Sequence, residues 1–174
     1  MRLPVVLVAA IVGLGLFCGS SQAARLRPPV TDNPYCDITT YRLREVPEQA
    51  MSMLDSNGKP VIVISGATMN ETPSYGRFLM AHECCHHTLG HVRRYHEGLG
   101  HLGPQPFFYI APALKQMELD ADCCAVRMLK FKHETDGIEA ARSTMVGFGA
   151  EPTGAYYPTG TERADNIAKC TAQD

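Results

Sequence analysis

His82-Glu83-Cys84-Cys85-His86 lies inside a run, residues 74–94, in which Phe78, Leu79, Cys85, Leu89 and Val92 fall near one stripe. That spacing predicts an amphipathic helix. Four residues separate His82 from His86, so one face of the helix carries both imidazoles and both can reach a single ion. Glu83 is about 100° further round, placed to handle a metal-bound water without ligating the metal. A second helix, predicted over 112–131 with Pro112 in its first turn, contains Met117-Glu118-Leu119-Asp120-Ala121-Asp122. Glu118 and Asp122 are again four apart. If the two helices pack together, Glu118 completes a two-His, one-Glu site with its fourth position open. Asp122 would then accept a hydrogen bond from the outer ring nitrogen of a ligand histidine, His82 being the nearest choice.

The surrounding chain is compatible with one such domain. It has 174 residues, 45% hydrophobic and 20% charged, which excludes a disordered chain and suffices for a packed core. A net charge of −2 offers no basic stripe, so no nucleic-acid partner is expected. Seven cysteines accompany seven histidines, a composition that fits a disulfide framework, a metal protein or both. The N-terminus argues compartment: Met1-Arg2, an apolar run over 5–17, then Ser21-Gln22-Ala23. This reads as a secretory signal over 1–23, too short to span a bilayer, followed by one domain over 24–174. The expected location is periplasmic or secreted, without stable membrane insertion. Cleavage removes Arg2 and Cys18, leaving 15 Lys+Arg against 18 Asp+Glu and six cysteines. An even count in an exported chain favours disulfides.

Elsewhere, residues 24–35 read as an extended arm and 41–54 as a short helix or strand starting after Pro47. Asp55-Ser56-Asn57-Gly58 is a turn signal. Pro60-Val61-Ile62-Val63-Ile64 is a β-branched run that predicts a strand, and 66–73 leads back toward a helix. A glycine- and proline-bearing loop follows over 98–106, with His96 and His101 at the edge of any cleft. Further helices are predicted over 137–146 and 161–169.

With these residues in place, the chain resembles the gluzincin metallopeptidases, in particular the CAAX prenyl protease and HtpX heat-shock peptidase group with its small soluble relatives. The resemblance rests on HECCHHTLGH (82–91), ELDAD (118–122) and the strand before them, and runs from Val61 to Arg163. It implies an α+β, zincin-like fold: a small sheet on a few helices, two of them bearing the ligands. It also implies one Zn2+ held by His82, His86 and Glu118, Glu83 as catalytic base and Asp122 as the ligand-orienting carboxylate. His91 matches an additional histidine of the pattern, but on a continuous helix it lies about 180° from His82 and is not taken as a ligand. Where the family carries a His-Pro pair ahead of an arginine, this chain has Tyr156-Tyr157-Pro158 and then Arg163. A phenol or guanidinium can steady a developing oxyanion, so Tyr157 and Arg163 are the candidates for that part. The metzincin pattern is absent, since Leu89 and Val92 stand where it needs Gly and His.

If the ligand helices meet, Cys84-Cys85 and Cys123-Cys124 also approach, and at least one disulfide between these pairs is expected. Cys36 and Cys170 are expected to tie the termini. The expected activity is hydrolysis of a peptide or protein substrate by an exported zinc endopeptidase, with strand 61–64 as platform for an extended substrate. The alternative is a non-catalytic metal-binding or chaperone-like protein that keeps the gluzincin fold.

Overall fold

The computed structural model describes residues 29–44, 46, 48–99 and 107–173; the proposed signal segment, Cys18 and His101 lie outside them. The architecture is α+β, a four-stranded mixed sheet with six helices among the described residues. The β-branched run forms β4 (Pro60–Ser65), in which Ile62 and Ile64 are fully buried. Around it the chain adds β1 (Val30–Thr31), β2 (Thr39–Leu43) and β3 (Ala50–Leu54), in the spatial order β1-β2-β4-β3. β2 runs parallel to β4, while β3 is antiparallel to it. The Asp55–Gly58 turn joins β3 to β4, with Asp55 Oδ1 accepting from the amides of Asn57 and Lys59 at 2.8 and 2.9 Å.

The short element expected after Pro47 is a strand, β3, while residues 41–43 belong to the end of β2. One expectation changes: strand 61–64 is no substrate platform, because β2 and β3 occupy both of its edges. The edge strands are β1 and β3, and β3 is the one that borders the cleft described below.

From β4 the chain enters α1 (Gly66–Glu71), whose first turn is capped by Ser65 accepting from the Thr68 amide at 3.3 Å. α2 (Pro73–Thr88) begins with proline in its first turn, where the missing N–H costs nothing. Ten of its sixteen residues are buried. It is therefore a central helix, covered on several sides by α4 (Phe107–Phe131), α5 (Thr135–Phe148) and the sheet, and not one stripe on a surface. The predicted helix 74–94 is interrupted. α2 stops at Leu89, Gly90 turns left-handed (φ 73°), and α3 (His91–Arg94) restarts in a new direction before a wide π-type turn over Tyr95–Leu99. Leu89 is consequently 40% exposed.

Pro112 sits inside α4 rather than in its first turn, because the helix already begins at Phe107. α5 extends the predicted 137–146 at both ends. α6 (Gly160–Ala172) likewise outruns 161–169 and opens with a reciprocal cap between Thr159 and Glu162. Phe78, Val126, Leu129, Met145 and Ile167 interlock at the centre of the core, all at most 1% exposed. At about 25 cal/mol per Å2 of apolar surface, side chains of this kind each contribute roughly 1.5–3 kcal/mol.

Three disulfides cross this core: Cys36–Cys84, Cys85–Cys124 and Cys123–Cys170. The expected bridge between the two vicinal pairs is Cys85–Cys124, with Cα atoms 5.9 Å apart. Cys36 and Cys170 do not pair with each other. Each instead takes the remaining cysteine of α2 or α4, tying the segment between β1 and β2 to α2 and α6 to α4. Three disulfides suit an oxidising location outside the cytosol. No described helix is long and apolar enough to cross a membrane.

Candidate metal centre

α2 and α4 pack against each other, stapled by Cys85–Cys124. This brings the inner faces of both helices together. His82 Nε2 and His86 Nε2 lie 3.0 Å apart. The Glu118 carboxylate closes the group, with one oxygen 3.3 Å from His82 Nε2 and the other 3.4 Å from His86 Nε2. His82, His86 and Glu118 thus form a buried cluster that could hold a metal ion.

The spacing itself tests the fit. An ion held tetrahedrally with bonds of about 2.0–2.1 Å keeps its donor atoms about 3.3–3.4 Å apart, close to the separations found. Two imidazole nitrogens facing one another over a carboxylate also need a cation between them, either a proton or a metal. In the metal-free centre the proton falls to His82. Burial pulls its pKa down, but Asp122 and Glu118 outweigh burial and carry it well above the ordinary imidazole value. His86 moves the other way, lowered by burial and by the charge on His82. Burial opposes ionisation of Glu118, yet the histidines and Arg163 hold its carboxyl below the usual range.

Behind the ligands is a second layer of contacts. Asp122, fully buried, lies 3.0 Å from His82 Nδ1, off the line of the ring N–H, so the contact is an ion pair more than an aligned hydrogen bond. Its carboxylate accepts two hydrogen bonds from Arg163, from Nε at 2.9 Å and from Nη2 at 2.6 Å. Arg163 Nη1 stands 3.8 Å from Glu118. The guanidinium therefore fixes the carboxylates of α4, a part the sequence did not show. His91 is buried beside His86, with Nδ1 atoms 3.1 Å apart. The 180° separation expected for a continuous helix does not apply, because the left-handed Gly90 lies between them.

The centre opens into a cleft of about 650 Å3. It is lined by β3 with the residues before it, by α2, and by Tyr156 and Tyr157. Glu83 is 7% exposed and lines the cleft beside His82. Burial raises its carboxyl pKa, with His82 pulling the other way and Glu118 adding to the rise. The Tyr157 phenol also lines the cleft, its pKa raised by burial and by the negative charge of Glu118 and Glu83. It therefore stays protonated and able to donate. Two residues are held left-handed at this rim, Gln49 (φ 65°) and Tyr156 (φ 65°). Such strain collects at binding and catalytic sites. Neither was legible in the sequence, and neither was Tyr75, a buried phenol on the cleft wall. His96 lines the cleft as well.

All three residues of the expected ligand set, together with Glu83, Asp122, Tyr157 and Arg163, come together at this one place. The chain matches no protein-family model, no curated protein and no solved structure. The functional reading consequently rests on the geometry of the centre.

Proposed function

We propose that the protein is an exported zinc-dependent endopeptidase with a minimal zincin-like, gluzincin-type fold. The observation that carries this reading is the convergence of His82, His86 and Glu118 on one point, with a buried Glu83 beside it and an open cleft in front. The donor set of two imidazoles and one carboxylate is the chemistry of a catalytic zinc site that keeps one position free. When bound, the ion supplies Lewis acidity and makes water acidic enough to ionise near neutral pH.

The chain's own groups do the rest. Glu83 removes a proton from the attacking water and passes it to the leaving amine, work suited to a carboxyl whose pKa burial has raised. The Tyr157 hydroxyl donates to the developing oxyanion. Arg163, engaged twice by Asp122, serves by positioning Asp122 and Glu118. An extended substrate adds to the open edge of β3, whose residues 50–53 border the cleft.

Glu83→Gln tests the reading. The variant should keep one zinc per chain while cleavage of a peptide library falls by roughly 10²–10⁴-fold. Wild-type protein that carries stoichiometric zinc yet cleaves nothing more than Glu83→Gln would overturn the peptidase reading and leave a non-catalytic metal-binding protein.

A further inference from the structure

The two histidines of the centre have different outer partners. His82 is backed by a carboxylate, Asp122, itself clamped by Arg163. His86 is backed by another imidazole. His91 Nδ1 lies 3.1 Å from His86 Nδ1, and the rings meet edge to face with centroids 5.1 Å apart. His91 is 5% exposed and reaches this place because Gly90, at φ 73°, ends α2 and turns the first residue of α3 inward.

The proton inventory of this pair is constrained. His86 turns Nε2 toward His82 and Glu118. To give that nitrogen's lone pair to a metal, a neutral His86 must carry its proton on Nδ1. That N–H faces His91 Nδ1, which can accept it only with its own proton on Nε2. One arrangement satisfies both rings.

We propose that His91 is a positioning residue of the metal centre, accepting a hydrogen bond from His86 Nδ1–H and so fixing the ring angle and tautomer with which His86 offers Nε2. The inference rests on the metal-centre reading given above. It assigns His91 to the layer behind the ligands, opposite Asp122, and gives Gly90 its function: any side chain at φ 73° is strained, and a straightened helix would carry His91 away. The contrast between the outer partners also sets the two ligands apart. A neutral imidazole leaves His86 the less basic of the pair.

Co2+ is the probe, added to the full-length, oxidised protein stripped of metal. Wild type should bind it at one site and show the d–d absorption of a low-coordinate ion, and His82→Ala should lose both. His91→Leu should weaken Co2+ binding about 10–100-fold, the usual effect of losing a ligand's outer partner, and shift the absorption bands. His91→Gln, whose amide oxygen still accepts, should recover most of the affinity, which a purely space-filling role would not predict. If wild type takes up no Co2+, the metal centre and this inference fall together. If wild type binds and His91→Leu binds equally well with the same spectrum, this inference alone fails. Should His91→Leu not fold, nitrogen-15 imidazole spectra of zinc-loaded wild type decide: protons on His86 Nδ1 and His91 Nε2 support the assignment, and a proton on His91 Nδ1 overturns it.

Discussion

Asp122→Asn removes one charge and leaves nearly every heavy atom in place, so it isolates the electrostatics beneath the metal centre. Asp122 is wholly buried, accepts from Arg163 at 2.9 and 2.6 Å, and lies 3.0 Å from His82 Nδ1. Without its charge, Arg163 keeps one anionic neighbour, Glu118 at 3.8 Å, while its own side chain is only 7% exposed. The new amide N–H must also face a guanidinium or imidazole N–H. Breaking a buried pair by removing one partner costs about 3–5 kcal/mol. At about 2–4 °C per kcal/mol in a domain of this size, the melting point should fall by roughly 6–20 °C. Arg163→Met should cost less, because Asp122 retains the His82 imidazolium. The double variant should cost less than the sum of the two, with a coupling energy of about 1–3 kcal/mol. Denaturant unfolding of the metal-stripped, disulfide-intact protein at pH 7, followed by circular dichroism, measures all four species. A loss below about 1 kcal/mol for Asp122→Asn, or strict additivity, would mean that this charge does not hold Arg163 and His82 in place.

Four further expectations can be checked with the same preparations. Cys85→Ala with Cys124→Ala opens a loop whose ends are 39 residues apart; chain entropy for that length gives a loss of about 4 kcal/mol, and calorimetry showing under about 1 kcal/mol would contradict it. Because Asp122 and Glu118 overcome burial and raise the His82 pKa above 6.5, metal uptake at pH 7 must expel a proton and must weaken as pH falls, which titration in weak buffer will read. By the same linkage, the raised imidazole stabilises the metal-free fold below pH 6.5, and that stability is lost as pH rises through the raised value; a metal-free protein that gains stability toward alkaline pH would reverse the sign. Gly154→Ala should leave zinc content intact but reduce peptide turnover about 10-fold or more, since its Cβ would meet the Tyr157 ring at 2.5 Å and push it aside; unchanged turnover counts against Tyr157.

What could be read in advance depended on short-range geometry. His82, His86 and Glu83 sit on one uninterrupted stretch of helix, where 100° per residue places each side chain, and the β-branched run of β4 announces a strand. β3 was legible only as a short element after Pro47, helix or strand, because Ala50-Met51-Ser52-Met53-Leu54 has no β-branched residue and becomes a strand through pairing with β4. His91 was misplaced by carrying helical periodicity across Gly90, where the backbone turns left-handed. Pro112 resembles a helix start, yet α4 begins five residues earlier, at Phe107. Arg163 was legible as a neighbour of the site but not in its orientation, which depends on how α6 lies on α4. The cysteine pairing was open for a similar reason, since each vicinal pair offers two thiols to every partner.

The three bridges form consecutive links, closing spans of 48, 39 and 47 residues, and they overlap only where Cys123 precedes Cys124. A chain that oxidises as it emerges N-terminus first therefore meets each partner nearly in the order required, and the last clasp waits for the final helix. The risk of error is concentrated at the two vicinal pairs, where the wrong thiol is one residue away. On a helix that slip is 1.5 Å and 100°, enough to rotate His82 and His86 away from Glu118. The choice of sulfur and the alignment of the cluster are thus one constraint: a chain with Cys85 joined to Cys124 holds His82 and His86 against Glu118.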